Sequence, residues 1–226
     1  NTLLGQDDPE AIPDERLRLI FTCCHPALEL KSRVALTLRT VCGLSTGEIA
    51  RLFLDTEATM GQRLSRAKAR VASAGLTFAV PGPEEWDARL QAVLTTVMLI
   101  FTTGYTADAP DATRDLCGEA LFLGRLLLTL CPDQPEVEGA LALMLLTDTR
   151  RSARVSPDGR TVPPGEQDRT RWDRAMEAEG RHWLETALNR KRAGPFQVKA
   201  AISACQMAET RPDWPQILQL YTVLLT

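Results

Sequence analysis

Apolar residues recur along this chain at three- and four-residue spacing, and alternating stretches are rare, so the pattern predicts helices nearly throughout. Asp14 opens a first helix to about Cys24, with Leu17, Ile20, Phe21 and Cys24 on one side, and Pro26 marks the next start. Residues 27–42 form a second helix through Leu30, Val34, Leu38 and Val41, ended by Gly43. Ser45 followed by Glu48 fits a capping box for a short helix whose inner side is Ile49, Ala50 and Phe53. Leu54 and Asp55 break the pattern. Thr56 is then placed to cap a longer helix in which Met60, Leu64, Ala67 and Val71 make one narrow stripe.

Val80, Pro81, Gly82 and Pro83 form the clearest boundary, and the chain beyond it reads as helices joined by short connections. One runs over 84–104, the polar loop TADAPDAT leads to another from Arg114 to Leu130, and Pro132 and Pro135 separate a third, Glu136 to Arg151, built on Val137, Ala140, Leu141, Met144 and Leu145. Arg154 to Asp168 departs from this grammar: an Asp-Gly between short β-prone pieces predicts a small hairpin. Thr170 and Asp173 fit a capping box for a helix to about Arg192, followed by helices over 196–209 and from Asp213 onward. The expected fold class is all-α. Residues 1–13 read as a linker, 14–78 as a four-helix unit with a helix-turn-helix, 79–83 as a second linker, and 84–226 as a helical unit expected to continue past its apolar, uncapped end.

Charge sharpens this division. The formal net charge is -3, but residues 14–75 hold ten Lys or Arg against six Asp or Glu, whereas residues 76–226 hold sixteen against twenty. A cationic unit joined to an acidic one suits a nucleic-acid-binding module beside a regulatory or scaffolding one. On a helical wheel Thr59, Gln62, Arg63, Arg66 and Arg70 gather opposite the apolar stripe, with Ser65 and Lys68 on the flanks. Gln and Arg reach base edges in a major groove, and cations neutralise phosphates. Trp172, among Asp168, Arg169, Arg171 and Asp173, is expected in the core beside a capped helix start.

The six cysteines lie in apolar helical patterns without a CxxC pair, as buried free thiols would, and Cys23, Cys24 and His25 point in different directions on a helix, so no metal is expected. No nucleophile, base and orienting group come together and no glycine-rich phosphate loop is present, which argues against an enzyme and against a cofactor. LALMLL at 141–146 is too short to span a membrane, and a cytoplasmic protein is expected.

The stretch TEATMGQRLSRAK, Thr56 to Lys68, resembles the reading helix of region 4 of extracytoplasmic-function (ECF) sigma factors. DERLRLIFTCCHPAL (14–28), DLCGEALFLGRLL (115–127), ALALMLL (140–146), RRSARV (150–155) and QDRTRWDRA (167–175) resemble the subgroup with a C-terminal extension related to tetratricopeptide repeats. The resemblance implies recognition of the -35 promoter element, docking on the β flap of core RNA polymerase, and a C-terminal unit that regulates through a partner protein or an intramolecular contact. It implies base-edge contacts from Gln62, Ser65 and Arg66, supported by Thr59, Arg63, Lys68 and Arg70. Region 2, which would melt the promoter, has no counterpart in these residues. Gly61 stands where many relatives carry a basic residue. Two other classes fit the pattern: a stand-alone helix-turn-helix regulator, and a helical-repeat adaptor that binds protein.

Overall fold

The computed structural model describes residues 11–73, 80–106, 115–208 and 213–225, and the side chains of residues 11–14 lie outside that description. Most of the expected linker 1–13, residues 74–79 and nearly all of the loop TADAPDAT also lie outside it. The described residues are all-α and separate into two compact units, one holding those up to Thr103 together with Asp115, and one holding 104–106 and those from Leu116 onward.

The amino-terminal unit holds α1 (Ala11–Cys23), α2 (Leu30–Thr40), α3 (Thr46–Leu52), α4 (Glu57–Ser73) and most of α5 (Pro83–Thr106). Leu17, Ile20, Phe21 and Cys24 are all buried, as their spacing requires. α2 starts later than its pattern suggests. The Ala27 amide donates to His25 Nδ1 at 3.0 Å and the Leu28 amide to the His25 carbonyl at 2.9 Å, so Pro26 sits in a turn and Leu30 is left exposed. The inward face of α2 is instead Val34 to Leu38. Gly43, with φ of 74°, allows the Leu44 amide to return to the Leu38 carbonyl at 3.0 Å, closing the helix end.

Pro83 begins α5, whose first turns pack within this unit. Trp86 lies against Phe21 with ring centroids 5.3 Å apart, and Arg89 donates to the Phe21 carbonyl at 3.0 Å. The sequence break at Val80–Pro83 therefore begins a helix, while the compact units change over at Thr103 and Gly104.

The carboxy-terminal unit is organised around α7 (Pro135–Asp148), which packs on α6 (Leu116–Leu130), α8 (Arg174–Asn189) and α9 (Pro195–Gln206); α9 also carries α10 (Trp214–Leu225). α7 is buried on every side, including Glu138 and Asp148, which explains why its five-residue apolar face understated its role. Glu138 is satisfied by Arg190, whose Nε lies 2.8 Å away, and Glu136 accepts the Phe196 and Gln197 amides at the start of α9. At Gly139 a Cβ would fall 2.7 Å from the Gln197 nitrogen, so only glycine permits this crossing of α7 and α9.

The expected hairpin is reduced to a turn around Asp158 and Gly159 with a single antiparallel bridge between Val155 and Thr161. Pro157, Pro163 and Pro164 supply no amide donors, so no ladder extends from it. The capping expected from Thr170 shifts by one turn. Residues Arg169–Arg171 form a 3₁₀ turn capped by Asp168, and Asp173 is itself the N-cap of α8, accepting the Met176 amide at 3.0 Å. Trp172 is buried between them under the Arg169 guanidinium.

Cys23, Cys24, Cys42, Cys117 and Cys131 are buried free thiols and Cys205 is half-buried. Burial pushes the Cys23 thiol up to about 12, helped by the neighbouring Cys24. Among the described residues no helix is long and apolar enough to cross a membrane, and no cluster of His, Cys, Asp and Glu has the makings of a metal site.

Candidate nucleic-acid interface

The geometry begins at Ser45. Its hydroxyl accepts the Glu48 amide at 3.2 Å while Glu48 Oε2 accepts the Ser45 amide at 2.7 Å, a reciprocal pair that satisfies two open amides at the start of α3. After Leu52 the chain reverses through Leu54, which takes φ of 52° and is 95% exposed, and the Asp55 amide folds back on the Ala50 carbonyl at 2.9 Å. Thr56 Oγ1 then accepts the Thr59 amide at 3.1 Å and lies 2.9 Å from Thr59 Oγ1, so the first turn of α4 is closed as its sequence suggests.

Met60, Leu64 and Ala67 are buried against α2 and α3, and Val71 is half-buried beyond them. This seam fixes the rotation of α4 and turns the polar face outward. Thr59, Gln62, Arg66 and Arg70 are exposed and, with Arg63, line one wall of a groove of about 310 Å³; Ala27, Leu28, Glu29 and Ser32 form the other wall. Ser65 and Lys68 are exposed on the opposite flank of α4, away from this groove. Lys68 lies within electrostatic reach of the Cys23 thiol instead. The structure therefore gathers five of the seven candidate residues and separates two.

Arg63 differs from its neighbours. Its Nη2 lies 3.3 Å from Asp55 Oδ2, its Nη1 3.9 Å from Glu29 Oε2, and its Nε is buried without a hydrogen-bond partner. Among the described residues no carboxylate pairs with Arg66, Lys68 or Arg70, which leaves those cations to solvent or to a ligand. Glu29 and Ser32 were not legible as site residues, because nothing in the local pattern of α2 relates them to a helix so far along the chain. At Gly61 a Cβ would lie 4.0 Å from Thr46 Cγ2, so packing does not impose glycine there.

His25 shapes the second wall by holding Ala27. Burial, with Arg89 and Arg33 nearby, lowers its pKa below the ordinary value of 6.5, against the opposing pull of Glu85.

A capped short helix, a tight reversal and a longer helix with an outward amide-and-guanidinium face form a helix-turn-helix, and family comparison agrees. Residues 18–71 match Sigma-70, region 4. The region 4 domain is followed by a match, over residues 89–188, to a family of unknown function (DUF6596). An uncharacterized protein of Rhizobium meliloti (strain 1021) is 45% identical over 216 residues, which cover 93% of this chain and 51% of that protein. The chain thus spans about half the length of this curated relative. No solved structure matches. The region 4 domain includes α2, α3 and nearly all of α4, so the groove and its polar face fall inside it. Region 4 is a DNA-binding transcription-factor domain.

Proposed function

We propose that the amino-terminal unit reads the -35 element of a promoter while held on the β flap of core RNA polymerase, as region 4 of an alternative sigma factor of the ECF type. The carboxy-terminal helical unit is the tetratricopeptide-related extension of that subgroup and controls activity through a protein partner or by folding against the rest of the factor. The observation that carries this reading is the outward face of α4, within the segment that matches region 4.

Helical spacing supports the contacts that the resemblance implies. Gln62 lies on the line opposite the buried stripe, with Ser65 to one side and Arg66 to the other, so all three descend toward base edges when α4 enters a major groove. Gln pairs with adenine and Arg with guanine through paired hydrogen bonds. Thr59, Arg63 and Arg70 flank one side and Lys68 the other, placing cations toward the two phosphate backbones that border the groove.

The test is selection of bound duplexes from a randomised pool with the 226-residue chain, then titration of the enriched sequence. Arg66→Ala is expected to cost about 1–3 kcal/mol on that sequence and to relax choice at one base pair. Equal binding by the variant removes Arg66 from the reading surface, and failure to enrich any duplex overturns the reading.

A further inference from the structure

Resting on the reading of α4 as a DNA-contacting helix, we infer that Glu29 limits the affinity of this surface for DNA by restraining Arg63. Glu29 comes from the connection between α1 and α2, and it faces Arg63 across the groove that also contains Arg66 and Arg70.

The two acids that hold Arg63 are not equivalent. Asp55 belongs to the reversal between α3 and α4, accepts a hydrogen bond from Arg63 Nη2 and is 28% exposed; it anchors Arg63 to its own motif. Glu29 stands farther off, at 3.9 Å, and is 70% exposed. An ion pair so open to water is weak, and a phosphate of greater charge density can displace its carboxylate. Arg63 has a second Nη for that exchange while Asp55 keeps the first. The groove thus holds one cation whose outward Nη1 faces a carboxylate in the free protein, beside two cations that have no acidic partner among the described residues. DNA must evict Glu29 from Arg63 and then tolerate a carboxylate beside its backbone.

Three variants of the full chain separate this mechanism from a bare charge effect: Glu29→Gln, Arg63→Gln and the double variant. Each is titrated with a labelled mixed-sequence duplex over a range of salt, with thermal unfolding recorded alongside. Glu29→Gln is expected to bind more tightly at each salt concentration with an unchanged dependence of log K on log salt, because Arg63 meets a phosphate in both proteins and only the displacement of Glu29 is removed. In the Arg63→Gln background the same replacement is expected to give a clearly smaller gain in affinity, the relief of repulsion between carboxylate and phosphate alone. Wild-type affinity for Glu29→Gln overturns the inference, and so does an equal gain with and without Arg63, which makes Glu29 a simple repulsive charge. Arg66→Ala serves as the reference: weaker binding by it alongside an unchanged Glu29→Gln leaves the DNA reading intact and removes only the role of Glu29. No binding by the wild-type chain overturns both.

Discussion

Leu54 concentrates the strain of the helix-turn-helix in a single residue. Its φ of 52° places a branched side chain in the left-handed region, and at 95% exposure no burial offsets the cost. The conformation is held by its neighbours, since Asp55 must return its amide to Ala50 before Thr56 can cap α4. Asn tolerates this region better than Leu, so Leu54→Asn is expected to stabilise the amino-terminal unit by about 1 kcal/mol. A rise in the urea midpoint with an unchanged slope checks this, and an unchanged midpoint would show that leucine carries no penalty there.

Elements in this protein are placed by close contacts that a few residues permit. α7 meets α9 so closely that a methyl group on Gly139 would overlap the Gln197 backbone, which belongs to the helix and cannot swing aside. Gly139→Ala is expected to lower stability by about 1–3 kcal/mol, read from chemical denaturation, because the crossing must open to admit the Cβ. In the other unit, the turn leading into α2 depends on an unprotonated His25 Nδ1 accepting the Ala27 amide. Because the His25 pKa is lower in the folded chain than its unfolded value of 6.5, the unfolded state takes up more protons as the solution becomes acidic. The contribution is complete above about pH 6.5 and declines as pH falls through the lowered folded value. Thermal midpoints between pH 7 and 5 are expected to fall more for the wild type than for His25→Asn, and parallel curves would exclude His25 as the cause.

At the scale of the whole molecule, charge is distributed rather than summed. The net charge of -3 is compatible with DNA binding because the acidic residues concentrate outside 14–75, and the exposed face of α4 carries Arg66, Lys68 and Arg70. Binding is therefore expected to weaken with salt in proportion to the phosphates engaged, and Lys68→Ala should reduce the slope by about 1 without altering sequence preference. Altered preference would instead place Lys68 among the base-reading residues. The two compact units differ in how their cores form: the first uses amphipathic helices with clear stripes, while the second encloses α7 completely.

Local sequence determined what local bonds could enforce. The Ser45–Glu48 box, the Thr56 cap and the Met60, Leu64 and Ala67 seam depend on residues three or four positions apart, so their spacing specified α3, α4 and the outward polar face of α4. The later start of α2, the one-turn shift of the cap to Asp173 and the single-bridge turn at Asp158–Gly159 involve competing local bonds whose winner the pattern did not reveal. Tertiary structure alone decided that Glu29 meets Arg63, that the start of α5 covers Phe21, and that α7 is buried on all sides. These contacts join residues far apart in the chain, and no periodicity within one helix records which distant side chain will face it.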